Sequence, residues 1–143
     1  MKLLDLNLLV YAVDEASPRH RAAAPWVEAT IRGPETVALP WLVLLGFLRL
    51  TTRAAVMTSP LTVGAAMDVV DGWLSRRNVV VPQPGERHAT LLRELLAPLG
   101  GAGNLTSDAH LAALAIEYGA TLCSSDADFS RFAGLRWEDP LRS

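Results

Sequence analysis

Four aspartates carry the chemistry open to this chain. Asp5 closes the short apolar run Met1 to Leu4, and Asp108 stands at what reads as the first turn of a helix. Asp126 and Asp128 lie in a Ser-Ser-Asp-Ala-Asp turn just past a second apolar run. A carboxylate ending a buried strand needs a tertiary partner or a cation, because an unpaired charge in that setting is expensive or shifts its pKa. Each acid has a plainer account. Asp5 and Asn7 suit a helix cap, Asp108 suits the helix macrodipole, and Ser125 or Asp126 suits the cap of the turn that follows. Singly these accounts suffice. Together they do not, since three or four carboxylates on one sheet edge repel unless something cationic lies between them.

Oxygen ligands alone point to a hard cation, Mg²⁺ or Mn²⁺, rather than zinc. His20, His88 and His110 are scattered, and His110, two residues after Asp108, faces elsewhere on its helix as a packing residue. A carboxylate-held Mg²⁺ with open positions suits phosphoryl chemistry. Other aspartate-based α/β sites fit less well. A receiver-type phosphoacceptor needs a late lysine, and the only lysine is Lys2; a haloacid-dehalogenase-type site needs Asp-x-Asp where Asp5-Leu6-Asn7 stands. The Gly-rich loop ending in Gly-Lys of a P-loop is absent.

The elements that must position these acids alternate. Short apolar runs near 2–5, 36–39, 79–81 and 120–124 predict strands, with a short last one around Leu135 to Trp137. Helical patterns separate them, so the fold class is α/β with a parallel sheet and right-handed crossovers. A helix opening at Ser17-Pro18 shows an apolar stripe of Ala22, Ala23, Trp26, Val27 and Thr30. The helix after Pro40 turns Trp41, Leu44, Leu45 and Leu48 inward, with Gly46 in its interior where close approach of a backbone or ligand is expected. Residues 85–99 form another helix, and Gly100-Gly101-Ala102-Gly103 is a flexible connection.

The chain of 143 residues reads as one domain, 1–143, without internal repeats. No apolar run approaches the ~18 residues of a membrane span, and the N-terminus carries no signal-peptide pattern, so a cytoplasmic protein is expected. Cys123, the single cysteine, excludes an internal disulfide framework and reads as a small core residue. A formal charge of −2 argues against a general polyanion binder but not against a nucleic-acid enzyme with a divalent metal.

Three segments in this order and spacing, Asp5-Leu6-Asn7, LPWLVLLGFLRLTT and NLTSDAHLAALAIEYGATLCSSDADFSRFAGLRWEDPL, make the chain resemble the PIN-domain toxins of the VapC type over nearly its whole length. The resemblance implies a three-layer α/β/α sandwich and a Mg²⁺- or Mn²⁺-dependent endoribonuclease acting on structured RNA, mainly tRNA and ribosomal RNA. It implies a cognate VapB-type antitoxin and a homodimer. Asp5, Asp108 and Asp126 match the family's acids, with Asp128 beside them, and Asn7 and Ser125 match polar positions that orient carboxylates or bound water. Arg49 is a candidate for an RNA phosphate contact, or for an ion pair with Asp126 or Asp128. One position departs: the family's second acid, usually Glu, aligns with Gly46, and no carboxylate occurs between Thr36 and Met67. That side of the site is expected to stand open, with fewer direct ligands and weaker metal binding. A catalytically weak PIN domain serving as an RNA- or protein-binding module is the rival reading.

Overall fold

The computed structural model describes residues 1–101 and 103–142. Five parallel strands form one sheet in the order β3-β2-β1-β4-β5: β1 (Lys2–Leu4), β2 (Val37–Ala38), β3 (Val79–Val80), β4 (Thr121–Cys123) and β5 (Trp137–Glu138). The strands are short because their apolar runs are brief: Asp5 follows β1, Pro40 and Pro82 stand soon after β2 and β3, and Ser124 follows β4. Leu3 and Leu4 are completely buried in the centre of the sheet, and Asp5 follows at once. β5 sits slightly later than the sequence suggests. Leu135 is drawn into a turn with Phe132, and the pairing to β4 uses the Arg136 carbonyl and Glu138.

Helices cover both faces, giving the α/β/α sandwich. On one side α1 (Leu6–Val13) packs on α2 (His20–Arg32) and α3 (Trp41–Thr51), and α3 on α4 (Val63–Leu74). On the other, α5 (His88–Leu96) packs on α6 (Thr106–Tyr118). α6 ends at Gly119, whose φ of 66° is the left-handed conformation that lets the chain reverse into β4. Ala102, within the expected glycine-rich connection, lies outside the described residues. No helix among the described residues is long and apolar enough to cross a membrane.

Two helix faces differ from expectation. In α2 the buried stripe is Ala23, Val27 and Ile31, while Ala22 is exposed. The helix begins at His20, because the Ser17 hydroxyl accepts the Arg19 amide and holds the preceding residues in a turn. In α3 the core receives Val43, Leu44, Phe47 and Thr51, and Trp41 and Leu45 are 43% and 56% exposed. Nearly every residue of α3 is apolar, so periodicity could not choose a face. The choice falls to packing: Phe47 meets the edge of Trp73 on α4 with ring centroids 4.8 Å apart.

Candidate active site

The sheet order places a switch point between β1 and β4, where the chain leaves the centre in opposite directions and where ligands collect beyond the strand ends. Leu4 is in register with Cys123, so the next residues, Asp5 and Ser124, meet across that gap. The Asp5 amide donates to the Cys123 carbonyl at 3.0 Å, extending the ladder by one bond.

Asp5 is the N-cap of α1. Its Oδ1 accepts the Leu6 amide at 2.7 Å, and its Oδ2 accepts the Ser124 hydroxyl at 2.7 Å. Only 8% of Asp5 is exposed, and burial pushes its pKa up, opposed by those two bonds and reinforced by the charge of Asp126. Ser124, fully buried, uses its whole bonding capacity here. Besides donating to Asp5, its Oγ accepts from Asn7 Nδ2 at 3.2 Å and from the Asp126 amide at 3.0 Å. The Ser124 carbonyl in turn receives the Trp137 indole N–H at 3.0 Å.

Asp126 caps the short 3-10 turn Ala127–Arg131, accepting the Asp128 amide at 2.9 Å. The capping account of this acid is therefore realised, and its other oxygen takes no hydrogen bond among the described residues. Asp128 is half-exposed and lies 3.6 Å from Arg131 Nε on the same turn. Asp108 occupies the first turn of α6, but no side chain caps that helix; Thr106 Oγ1 donates to the Gly103 carbonyl instead. Among the described residues the Asp108 carboxylate has neither a hydrogen bond nor an ion pair. Its pKa is pushed up to about 6 by partial burial and then by the charges of Asp5, Asp126 and Asp128. The four aspartates thus share one electrostatic field. They do not meet at a point: no three His, Cys, Asp or Glu side chains among the described residues are close enough to hold one ion.

The donor set nevertheless fits a hard divalent cation. All candidate ligands are oxygens, repulsion among the carboxylates is uncompensated at Asp108, and Asn7 Oδ1 is buried without a hydrogen-bond partner among the described residues. A cavity of about 380 Å³ opens beside these groups, lined by Asp5, Asn7 and Asp108 together with Leu6, Val10, Tyr11 and Leu50. A larger one, about 500 Å³ between α1, α2 and α4, contains none of the four aspartates and is remote from this chemistry.

The remaining candidates fall differently. Ser125 is half-buried and makes no carboxylate contact among the described residues; the hydroxyl that orients Asp5 belongs to Ser124. Arg49 is exposed and forms no ion pair with Asp126 or Asp128 among the described residues. His110 turns to α5, where its Nδ1 lies 2.9 Å from His88 Nε2. The side expected to stand open is closed. A Cβ built on Gly46 would sit 2.6 Å from Leu6 Cδ2, so the leucine already occupies the space that the missing side chain leaves. Sequence reasoning passed over Ser124 and Tyr11. The signal for Ser124 is register alone: it is the residue opposite Asp5 once β1 and β4 are paired.

The PIN domain family model matches residues 2–135. The chain belongs to the PIN-domain family. Among curated proteins this PIN domain is 46% identical over 142 residues to Ribonuclease VapC33 of Mycobacterium tuberculosis, covering 99% of each chain. It is 41% identical over 140 residues to Ribonuclease VapC37 of the same species, covering 98% of this chain and 97% of the relative. In fold it is similar to VapBC2 from Rickettsia felis bound to a DNA fragment from their promoter, with a TM-score of 0.69, 21% identity and 96% coverage of both chains. M. tuberculosis VapC20, described as a sarcin-ricin loop cleaving toxin, superimposes with a TM-score of 0.62 at 20% identity, covering 95% of this PIN domain and 99% of that chain. The VapC-type resemblance seen in the sequence is borne out by these relatives.

Proposed function

We propose that this PIN domain is the toxin of a VapBC-type pair, an endoribonuclease that cleaves structured RNA with the help of Mg²⁺ or Mn²⁺. One observation carries the reading: Asp108, without a hydrogen bond or ion pair among the described residues, has its pKa pushed up to about 6 by partial burial and then by the charges of Asp5, Asp126 and Asp128 at the switch point of the sheet. Its close relatives are named ribonucleases over the full length of the chain.

Asp5, Asp108 and Asp126 are the groups that would hold the cation, with Asp128 at the rim. When bound, the ion supplies an activated water and neutralises charge on the scissile phosphate. The protein's own part is orientation. Ser124 fixes the Asp5 carboxylate and the Asp126 backbone through one hydroxyl, and Asn7 is held by the same atom. Asp108, free of hydrogen bonds among the described residues, can turn toward the ion without losing a partner. Arg49, exposed on α3, is the candidate for a contact to an RNA phosphate.

The substrate class is tRNA or ribosomal RNA, in keeping with the description of VapC20. A cognate VapB-type antitoxin is the regulatory partner, as in the VapBC assembly of R. felis. The exposed apolar face of Trp41, Leu42 and Leu45 on α3 suits a homodimer, and the setting is cytoplasmic. The rival reading, a binding module with weak catalysis, draws on the lack of a converged ligand triad among the described residues and on Gly46. Induced expression of wild type and Asp5→Ala, followed by sequencing of RNA 5′ ends, decides between them. Cleavage and growth arrest lost together in Asp5→Ala support the enzyme; toxicity unchanged by the substitution supports the module.

A further inference from the structure

The cavity beside Asp5 and Asp108 is two-sided in its chemistry. Part of its lining is the two carboxylates and Asn7. The rest is hydrocarbon and one aromatic ring: Leu6, Val10, Leu50 and Tyr11. Gly46 brings no side chain to this region, and the Leu6 side chain lies where a residue-46 side chain would begin. The Tyr11 ring carries a cation, with the Arg19 guanidinium 5.6 Å from its centroid, and among the described residues the Tyr11 hydroxyl makes no hydrogen bond. Neither Tyr11 nor Arg19 has a part in orienting the aspartates.

From this juxtaposition we propose that the cavity is a nucleobase pocket, seating against Tyr11 the base of a nucleotide that flanks the scissile phosphate. The assignment rests on the ribonuclease reading and gives it a recognition element. A second phosphate is a poor occupant of this cavity, since apart from the carboxylates and Asn7 its lining offers only hydrocarbon and a phenol and no cationic group. A further cation is equally poor, since the remaining side chains of the lining offer no ligand oxygen except a phenol. A flat, uncharged ring suits both halves: aliphatic and aromatic surface to stack on, and polar groups at one edge. The volume of about 380 Å³ is in the range of small-ligand sites. Single-stranded nucleotides bind proteins chiefly by stacking on aromatic rings and guanidinium planes; Tyr11 lines the cavity, and Arg19, outside its lining, lies over the same ring. Because Asp5 and Asp108 line the same cavity as Tyr11, the seated base adjoins the groups that would hold the cation.

The test compares binding of fluorescein-labelled RNA octamers of U, C and A with an abasic octamer of the same backbone, by anisotropy in Mg²⁺. All proteins carry Asp108→Asn so that hydrolysis does not intrude. Base-bearing octamers should bind more tightly than the abasic one, and Tyr11→Ala should reduce that advantage about five-fold or more. The abasic affinity and the salt dependence should stay unchanged, because phosphate contacts are untouched. Tyr11→Phe should keep the advantage. Leu50→Trp, which fills the cavity instead of emptying it, should abolish it by a second route. The inference is overturned if the folded Tyr11→Ala and Leu50→Trp proteins still favour base-bearing RNA as the parent does, or if the parent shows no preference. RNA cleavage by the protein without Asp108→Asn is scored separately, so an inactive enzyme that still discriminates bases refutes the ribonuclease reading and leaves the pocket standing.

Discussion

Asp5 and Ser124, 119 residues apart in the chain, are joined by a 2.7 Å hydrogen bond that spans the gap between β1 and β4. The same hydroxyl binds Asn7 and the Asp126 amide, so one atom just past β4 ties the start of α1 to the start of the 3-10 turn. Replacing Ser124 with Ala removes the donor and leaves a buried carboxylate oxygen and a buried amide without partners. We expect a loss of about 1–3 kcal/mol in urea unfolding. RNA cleavage should fall further than stability accounts for, because Asp5 loses its fixed orientation. Ser124→Thr, which retains the hydroxyl, should recover most of both; equal damage from Ala and Thr would show that space, not the bond, is what matters.

Asp108 makes a pH prediction with a definite sign. Its carboxyl titrates near 6 in the folded protein instead of near 3.8, so the native state holds a proton that the unfolded chain has released. Its contribution to stability is complete below about pH 4 and is lost as pH rises through about 6. Asp5, whose pKa is also raised by burial, acts in the same direction. Metal-free protein should therefore have a lower urea midpoint at about pH 7 than at about pH 5, and Asp108→Asn should flatten that slope. Mn²⁺ should reverse it, since a cation binds the ionised carboxylates. A wild-type slope identical to that of Asp108→Asn would remove Asp108 from the shared field.

Cys123 is fully buried in β4, with its thiol 3.5 Å from Glu138 Oε1, and burial pushes the thiol well up from its ordinary range. It should resist iodoacetamide in the native protein at about pH 8 and be labelled only at the rate of global opening. Labelling of the folded chain within minutes would mean that the edge of the sheet at β5 opens locally.

The first four strands and their parallel sense were legible because each centres on a short apolar run bounded by an acid, a proline or a glycine and separated from the next by a helical pattern. The aspartates were legible because carboxylates at strand ends have few uses. What escaped was decided by tertiary register. Nothing in Ser-Ser-Asp says which serine faces Asp5 until β4 is laid beside β1 and Leu4 is matched with Cys123. The inward face of α3 escaped for the opposite reason: from Trp41 to Leu50 too many residues are apolar for any period to stand out. Tyr11 escaped because an aromatic residue on an apolar helix reads as core, and only its place on the cavity wall beside Arg19 distinguishes it.

Gly46 and Leu6 supply the last prediction. Glycine inside α3 costs about 1 kcal/mol relative to alanine, yet a Cβ at position 46 would stand 2.6 Å from Leu6 Cδ2. Gly46→Ala alone should therefore be close to neutral, with the gain in helix propensity offset by displacement of the leucine. In a Leu6→Ala background the same substitution should stabilise by about 1 kcal/mol, so the double-mutant cycle reads a coupling of that order. Gly46→Glu extends the argument to the metal. The longer side chain must push the flexible end of Leu6 aside, and it then offers a carboxylate from the one helix of the site that has none. Mn²⁺ titration should show tighter binding to Gly46→Glu than to wild type, and tighter still when Leu6 is Ala. Equal affinities across the three proteins would mean that a carboxylate at position 46 does not reach the cation, with or without Leu6 in its way.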